Sequence, residues 1–251
     1  MRGVAILLAV MVLAGCGGSS KPAGPDPSTA TSKTVDEGTA RFTLLINAKV
    51  GGNTIQTTET GQLSFVDRLG HFYKLVPGNG IPQELVVVGP WTYSNANVDA
   101  ALHDTSIRPW TKLDTRKLTE KQRNEHPDEL SHVRVLVHLP DGVKRAARIE
   151  SIEVAGQKVT QYNGEVDPAR VVAAAKPAGQ DELRKALAND YPSKPFPASY
   201  WLDDSGRVRR VVVQYRTAGG TPIAIDGRFS AFGTAVDTRL PPADSIQDIT
   251  P

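Results

Sequence analysis

The strongest constraint on this chain is an alternation. From residue 40 to residue 50 every even position is apolar or small: Ala40, Phe42, Leu44, Ile46, Ala48 and Val50. The odd positions include Arg41, Thr43, Asn47 and Lys49. Period two over that length specifies a strand with one apolar face. Gly51-Gly52-Asn53 then supplies a turn into a second long strand over 54–66. That strand places Leu63 and Phe65 on one face but is otherwise polar, with Thr57, Thr58, Glu59, Thr60 and Gln62, and so reads as mostly solvated. Asp67-Arg68-Leu69-Gly70 turns into a third strand over 71–76, and Pro77-Gly78-Asn79-Gly80 breaks the chain. Two short strands follow, 84–88 and 91–93. The chain therefore opens as an antiparallel meander.

The middle is richer in helix. Residues 97–103 read as a short helix, 110–114 as a strand, and 115–124 as a charged, helix-permissive run stopped by His126-Pro127-Asp128. Residues 130–139 fit both periods. Leu130, Val133 and Val137 suit a helix, whereas Val133, Val135, Val137 and Leu139 alternate as a strand would; helix is slightly favoured. A hairpin over 147–162 turns at Ala155-Gly156-Gln157-Lys158. Asp167-Pro168 is a helix start, with Asp as the cap and Pro in the first position. A further helix over 181–189 carries Leu183 and Leu187 on one face. The end is all strand: 198–202 and 207–216 around Asp203-Asp204-Ser205-Gly206, then 221–232, then 235–240 before Pro241-Pro242. Strands, helices, then strands make an α+β fold around one antiparallel sheet.

The amino end has a different logic. Arg2, then an apolar run over 3–13, then Leu13-Ala14-Gly15-Cys16, has the anatomy of a secretory signal. The run is too short for a transmembrane helix, which needs roughly 20 apolar residues. Cys16 is the single Cys of the chain and closes the apolar run, as in the bacterial lipobox, so lipidation is expected there. The domain reading is a signal peptide over 1–15, a lipid-anchored flexible linker over 16–35, and one domain over 36–251. The linker is Gly-, Ser-, Pro- and Thr-rich and too poor in apolar surface to order itself. With Cys16 lipidated no thiol remains for a disulfide, so the core must hold by burial alone. A net charge of +2 is too small a bias to suggest nucleic-acid binding.

Motifs for chemistry are absent from the pattern. There is no G-x-S-x-G, H-E-x-x-H or phosphate-binding loop. His126, His132 and His138 lie six apart, off any one helical face, and read as surface residues rather than metal ligands. Asp203-Asp204-Ser205-Gly206 reads as a hairpin turn, since a calcium loop needs alternating oxygen ligands and a distal Glu. Trp91, Trp110 and Trp201 suit either a cavity wall or sheet packing. The basic runs Arg207-Val208-Arg209-Arg210 and Lys144-Arg145, with Arg148, suit either a solvated strand face or contact with anionic headgroups. No cofactor, no metal and no catalytic residue is expected.

Several segments, in order, resemble the LolA/LppX-like lipoproteins of actinobacteria, a group that includes LprG-type carriers. They are Arg41-Phe42-Thr43; Val87-Val88-Gly89 before Trp91-Thr92-Tyr93; Pro109-Trp110-Thr111-Lys112-Leu113-Asp114; and Val154-Ala155-Gly156-Gln157-Lys158 leading to Tyr162. Near the end they are Tyr200-Trp201-Leu202-Asp203-Asp204-Ser205-Gly206-Arg207, Phe229-Ser230-Ala231-Phe232-Gly233 and Pro241-Pro242-Ala243-Asp244. The stretch 121–147 departs by being more charged. The resemblance implies a strongly curved antiparallel half-barrel, with helices covering a concave face that holds acyl chains. The expected role is an exported lipoprotein, on the outer face of the cell membrane, that carries or presents a lipid or glycolipid. The expected partners are the membrane and that ligand, with the protein a monomer and not an enzyme. The cavity wall is expected to include Phe42, Leu44, Ile46, Leu63, Phe65 and Trp91. The alternative is an envelope sensor or protein-interaction module with the same fold and no transported ligand.

Overall fold

A computed structural model describes residues 24–76, 78, 81–125, 128–154, 156–217 and 219–251. Cys16 and the signal segment lie outside them. In chain order the elements are α1 (Ala30–Val35), β1 (Thr39–Val50), β2 (Asn53–Ser64), β3 (Leu69–Leu75), β4 (Gln83–Val88), β5 (Trp91–Ser94), α2 (Val98–His103) and β6 (Trp110–Asp114). Then come α3 (Glu120–Glu125), α4 (Ser131–His138), β7 (Ala147–Val154), β8 (Gln157–Val166), α5 (Pro168–Ala174) and α6 (Pro177–Asp190). The chain closes with β9 (Phe196–Asp203), β10 (Val208–Arg216), β11 (Pro222–Ser230) and β12 (Ile246–Asp248).

All of the strands share one open, curved sheet, in the order β12-β6-β5-β4-β3-β2-β1-β11-β10-β9-β8-β7. It is a half-barrel. Every pairing is antiparallel except that of β12 with β6, which is parallel. β1 is the seam between two meanders. Phe42 sits opposite Gly61 of β2 on one side and Phe229 of β11 on the other. Alternation carries that side of the sheet across the molecule as Leu44, Leu63, Phe72, Leu85, Val211, Val213 and Tyr200, all buried. This is the concave, helix-covered face.

The ambiguous segment over 130–139 is helical. Its Leu130, Val133, Leu136 and Val137 are 0–1% exposed and belong to the same core as Phe42, Leu44, Leu63 and Phe72. Two glycines of the sheet make the close approach feasible. A Cβ at Gly227 would lie 2.5 Å from Leu136 Cδ1, and one at Gly70 would lie 2.7 Å from Leu130 Cδ2. Leu136 of α4 and Leu130 just before it thus occupy the space that side chains at those two positions would need.

Three expectations are corrected. The expected leash over 16–35 ends sooner: Asp26 caps a short 3-10 turn (Pro27–Thr29), and α1 follows with Ala30 and Thr34 at 0% exposure. Thr34 accepts from Val208 N at 2.8 Å, and Thr31 donates to Val137 O at 2.9 Å, so α1 is pinned between β10 and α4. Composition misled because small Ala and Thr pack closely there, although they bury little surface each. Second, 235–240 is not a strand. Both edges of β1 are already paired, so this segment crosses the convex face instead. It is tied by Gly233 N to Thr39 O (3.0 Å), Thr39 Oγ1 to Thr234 O (2.7 Å) and Asp237 N to Gln62 Oε1 (2.9 Å). Third, His132 is not a surface residue; it bonds the buried carboxylate of Glu59 at 2.7 Å.

Candidate functional site

A cleft of about 800 Å³ lies between α1, α4, the start of α6 and the end of β2. Its apolar walls are Val35, Phe65, Val66, Val135, Leu183 and Ala186. Val66 stands 69% exposed at the mouth, an apolar side chain left to solvent. The volume falls within the range of about 300–1,000 Å³ usual for small-molecule sites. Phe65 is positioned by the end of β2, where Phe65 N donates to Gly38 O at 2.8 Å, and its ring packs on Phe229 at 6.2 Å.

Charged residues form the rim. Arg134 of α4 donates to Ser64 O (3.2 Å) and Asp67 O (2.6 Å) and pairs with Asp128 (3.5 Å) and Glu182 (3.4 Å). That one guanidinium ties α4 to the end of β2 and to α6. His138 lies 3.9 Å from Asp141, and its Nδ1 is buried with no hydrogen-bond partner among the described residues. Lys176, at the amino end of α6, also lines the cleft. An apolar trough with a rim of mixed charge is suited to shielding a hydrocarbon chain while leaving a polar group in water.

Below the cleft the concavity is filled, and an ionic group lies within the filling. Glu59, 1% exposed on β2, meets His132 of α4 and, at 3.4 Å, Lys74 directly across on β3. Burial opposes ionisation of Glu59, but the bonds and charges of His132 and Lys74 outweigh it and hold the carboxyl below its usual range. Burial likewise opposes the charged form of His132, and Glu59 outweighs that too, raising the imidazole above its ordinary value. Glu129 and Asp190 lie near enough to feel this group, and burial raises both.

The six expected wall residues separate. Phe65 reaches the cleft. Phe42, Leu44 and Leu63 lie in the core cluster shared with α4, and Ile46 is partly buried against that cluster. Trp91 pairs with Val88, which pairs with Leu69 out of phase with Gly70 and Phe72, so it lies on the convex face under the guanidinium of Arg116 at 5.1 Å. Sequence reasoning missed the helical half of the cleft, since α1 was read as linker. The basic run on β10 is committed internally. Asp203 accepts from Arg207 and Arg209 (2.9 Å each), Arg207 also reaches Glu37, and Arg210 pairs with Asp226 while covering the Trp201 ring at 4.6 Å. Among the described residues no group of three or more acidic, His or Cys side chains is placed to hold a metal, and no helix is long and apolar enough to cross a membrane.

The open half-barrel, twelve-stranded among the described residues, seamed at β1 and filled by a leucine-bearing helix, has an LppX-like fold. Among solved structures it is similar to lipoprotein LppX of Mycobacterium tuberculosis, at 12% identity and a TM-score of 0.50, over 83% of this chain and 95% of that one. LprF of Mycobacterium bovis is similar at 12% identity and a TM-score of 0.46, over 87% and 99%. A LolA superfamily protein of Nitrosomonas europaea gives 9% identity and a TM-score of 0.28, over 85% and 94%. The sequence matches no protein-family model and no curated protein.

Proposed function

We propose that this chain is an exported lipoprotein, anchored through Cys16 on the outer face of the cell membrane, that carries or presents an amphiphilic lipid or glycolipid. The observation that supports this best is the helix-lined cleft, with its apolar walls, exposed Val66 and charged rim. One acyl chain lies along Phe65, Val135 and Leu183, at roughly 0.8 kcal/mol per buried methylene, and the headgroup stays at the rim. The mechanism is non-covalent. Its driving force is removal of hydrocarbon from water, and release needs only a better apolar sink.

Residues 16–251 carrying Cys16→Ala, purified without detergent, test the carrier reading by native mass spectrometry and lipid extraction. Near-stoichiometric lipid is expected; a clean extract from protein of native mass sinks it. In cells, Cys16→Ala should move the protein from the membrane to the soluble envelope fraction. Continued membrane association overturns the anchor. The filling of the concave face by α4 favours a second reading, an envelope sensor or interaction module with no transported ligand. A clean extract combined with a specific envelope protein partner would select it.

A further inference from the structure

The strap over 231–240 creates a second concavity, on the convex face of the sheet. It is an open groove of about 420 Å³ between Asp237 of the strap and β1, β2 and β3. Its character is opposite to that of the cleft. Tyr73 stands 45% exposed beside the groove, and its ring is held in place. Its hydroxyl donates to Glu84 Oε1 at 3.2 Å, the same oxygen bonds His71 Nε2 at 2.8 Å, and the His71 ring lies 5.5 Å from its own. Gln62 lines the groove, and its Oε1 accepts from Asp237 N. Arg239 donates to Asp237 and holds that carboxyl down at about 2, so it is ionised at any physiological pH. Arg41 lines the groove with no ion pair among the described residues.

These parts answer to one ligand chemistry. A pyranose ring presents a face of polarised C–H bonds, which settles on the negative face of an aromatic ring. Its hydroxyls occur in vicinal pairs, each both donor and acceptor. Planar carboxylate, amide and guanidinium groups can grip such pairs with two bonds at once. A fixed, exposed tyrosine ringed by Asp, Gln and Arg meets both needs. A hydrocarbon chain would strand those polar groups, and a simple anion has no use for the ring. We propose that the groove under the strap, around Tyr73, Arg41, Gln62 and Asp237, is a saccharide-binding site. It lies on the face opposite the cleft and is independent of the lipid reading.

Saturation-transfer NMR on the Cys16→Ala chain tests this with methyl α-glucopyranoside, methyl α-mannopyranoside and N-acetylglucosamine, each near 10 mM, a level suited to millimolar Kd values. Transfer to one face of at least one sugar ring is expected. It should fall at least about fivefold in Tyr73→Ala and in Arg41→Ala, and persist in Tyr73→Phe, which keeps the platform; this is the size of effect that losing a single well-made contact gives. Both replaced residues are surface-facing, and far-UV circular dichroism checks that the variants fold. No transfer to any of the three sugars overturns the proposal. So does transfer that both alanine variants leave unchanged, or a groove that binds only inorganic phosphate through Arg41.

Discussion

Glu59 shows at the residue scale how a polar side chain can be decisive and yet inconspicuous. It lies in a Thr-rich strand that reads as solvated, and it is buried only because His132 arrives from far along the chain. Periodicity assigns a residue to a face; it cannot supply the partner that makes a buried charge tolerable. Removing one partner of such a pair strands the other, at about 3–5 kcal/mol. His132→Ala leaves Glu59 with Lys74 as its remaining partner and should lower unfolding stability by less than that, about 1–3 kcal/mol, as measured by urea denaturation. The pH dependence separates charge from packing. The raised His132 contributes fully below its unfolded pKa of about 6.5 and loses its contribution as pH rises through the folded value. The lowered Glu59 contributes fully above its unfolded value and loses its contribution as pH falls through the folded one. Glu129 and Asp190, raised by burial, also withdraw stability as they ionise with rising pH, and the His132 charge that moderates both is lost in the variant. The stability gap between wild type and His132→Gln should therefore be widest between about pH 5 and 6.5 and narrow at alkaline pH. A gap that stays flat from neutral to alkaline pH would show that the contact is not ionic.

At the scale of elements, α4 fixes what the half-barrel can hold. Its two-period ambiguity has a physical cause. It is packed on the sheet through Leu136 and against α1 and α6 on other sides, so Val133, Val135, Leu136 and Val137 are all buried and the apolar stripe wraps around. The strands were legible because only one of their faces is buried. The strap was not, because its residues alternate like a strand while both edges of the neighbouring β1 were already taken. Gly227→Ala should cost about 1–3 kcal/mol by forcing Leu136 out of a fully buried position. Leu136→Ala should cost about 2–5 kcal/mol and leave a void beside Gly227. Combining the two should cost less than the sum, because the new methyl enters the space the leucine vacates. Thermal or urea unfolding of the three variants checks this; strict additivity would separate Leu136 from Gly227. The hairpin around Asp203 is a second locus. Asp203→Asn removes the charge that holds Arg207 and Arg209 and should lower Tm, with Glu37 left as the remaining acceptor for Arg207.

Two faces of the whole molecule have two chemistries, an apolar cleft among helices and a polar groove beneath the strap. Val66→Asp tests the first at a position that is solvent-exposed and safe for folding. A charge at the mouth should reduce co-purified lipid without changing Tm, and unaltered lipid content would place the ligand elsewhere. Deleting residues 241–251 removes β12 and the bonds of its neighbours, such as Arg108 to Ile246 O at 2.6 Å. The bared edge of β6 should then promote self-association, seen by size-exclusion chromatography. The strand order has a further consequence, one of time. Residues 39–114 can pair among themselves as soon as they have been made, but β1 finds its second neighbour only when residues 222–230 emerge, and β6 is covered only by residues 246–248. A chain that emerges amino end first must wait, half a cup with two bare edges, until residues 246–248 have followed. Long-range pairing of this kind is slow and exposed to misassembly, so the cell's handling of the emerging chain, as much as the finished structure, governs how much of this protein reaches its working form.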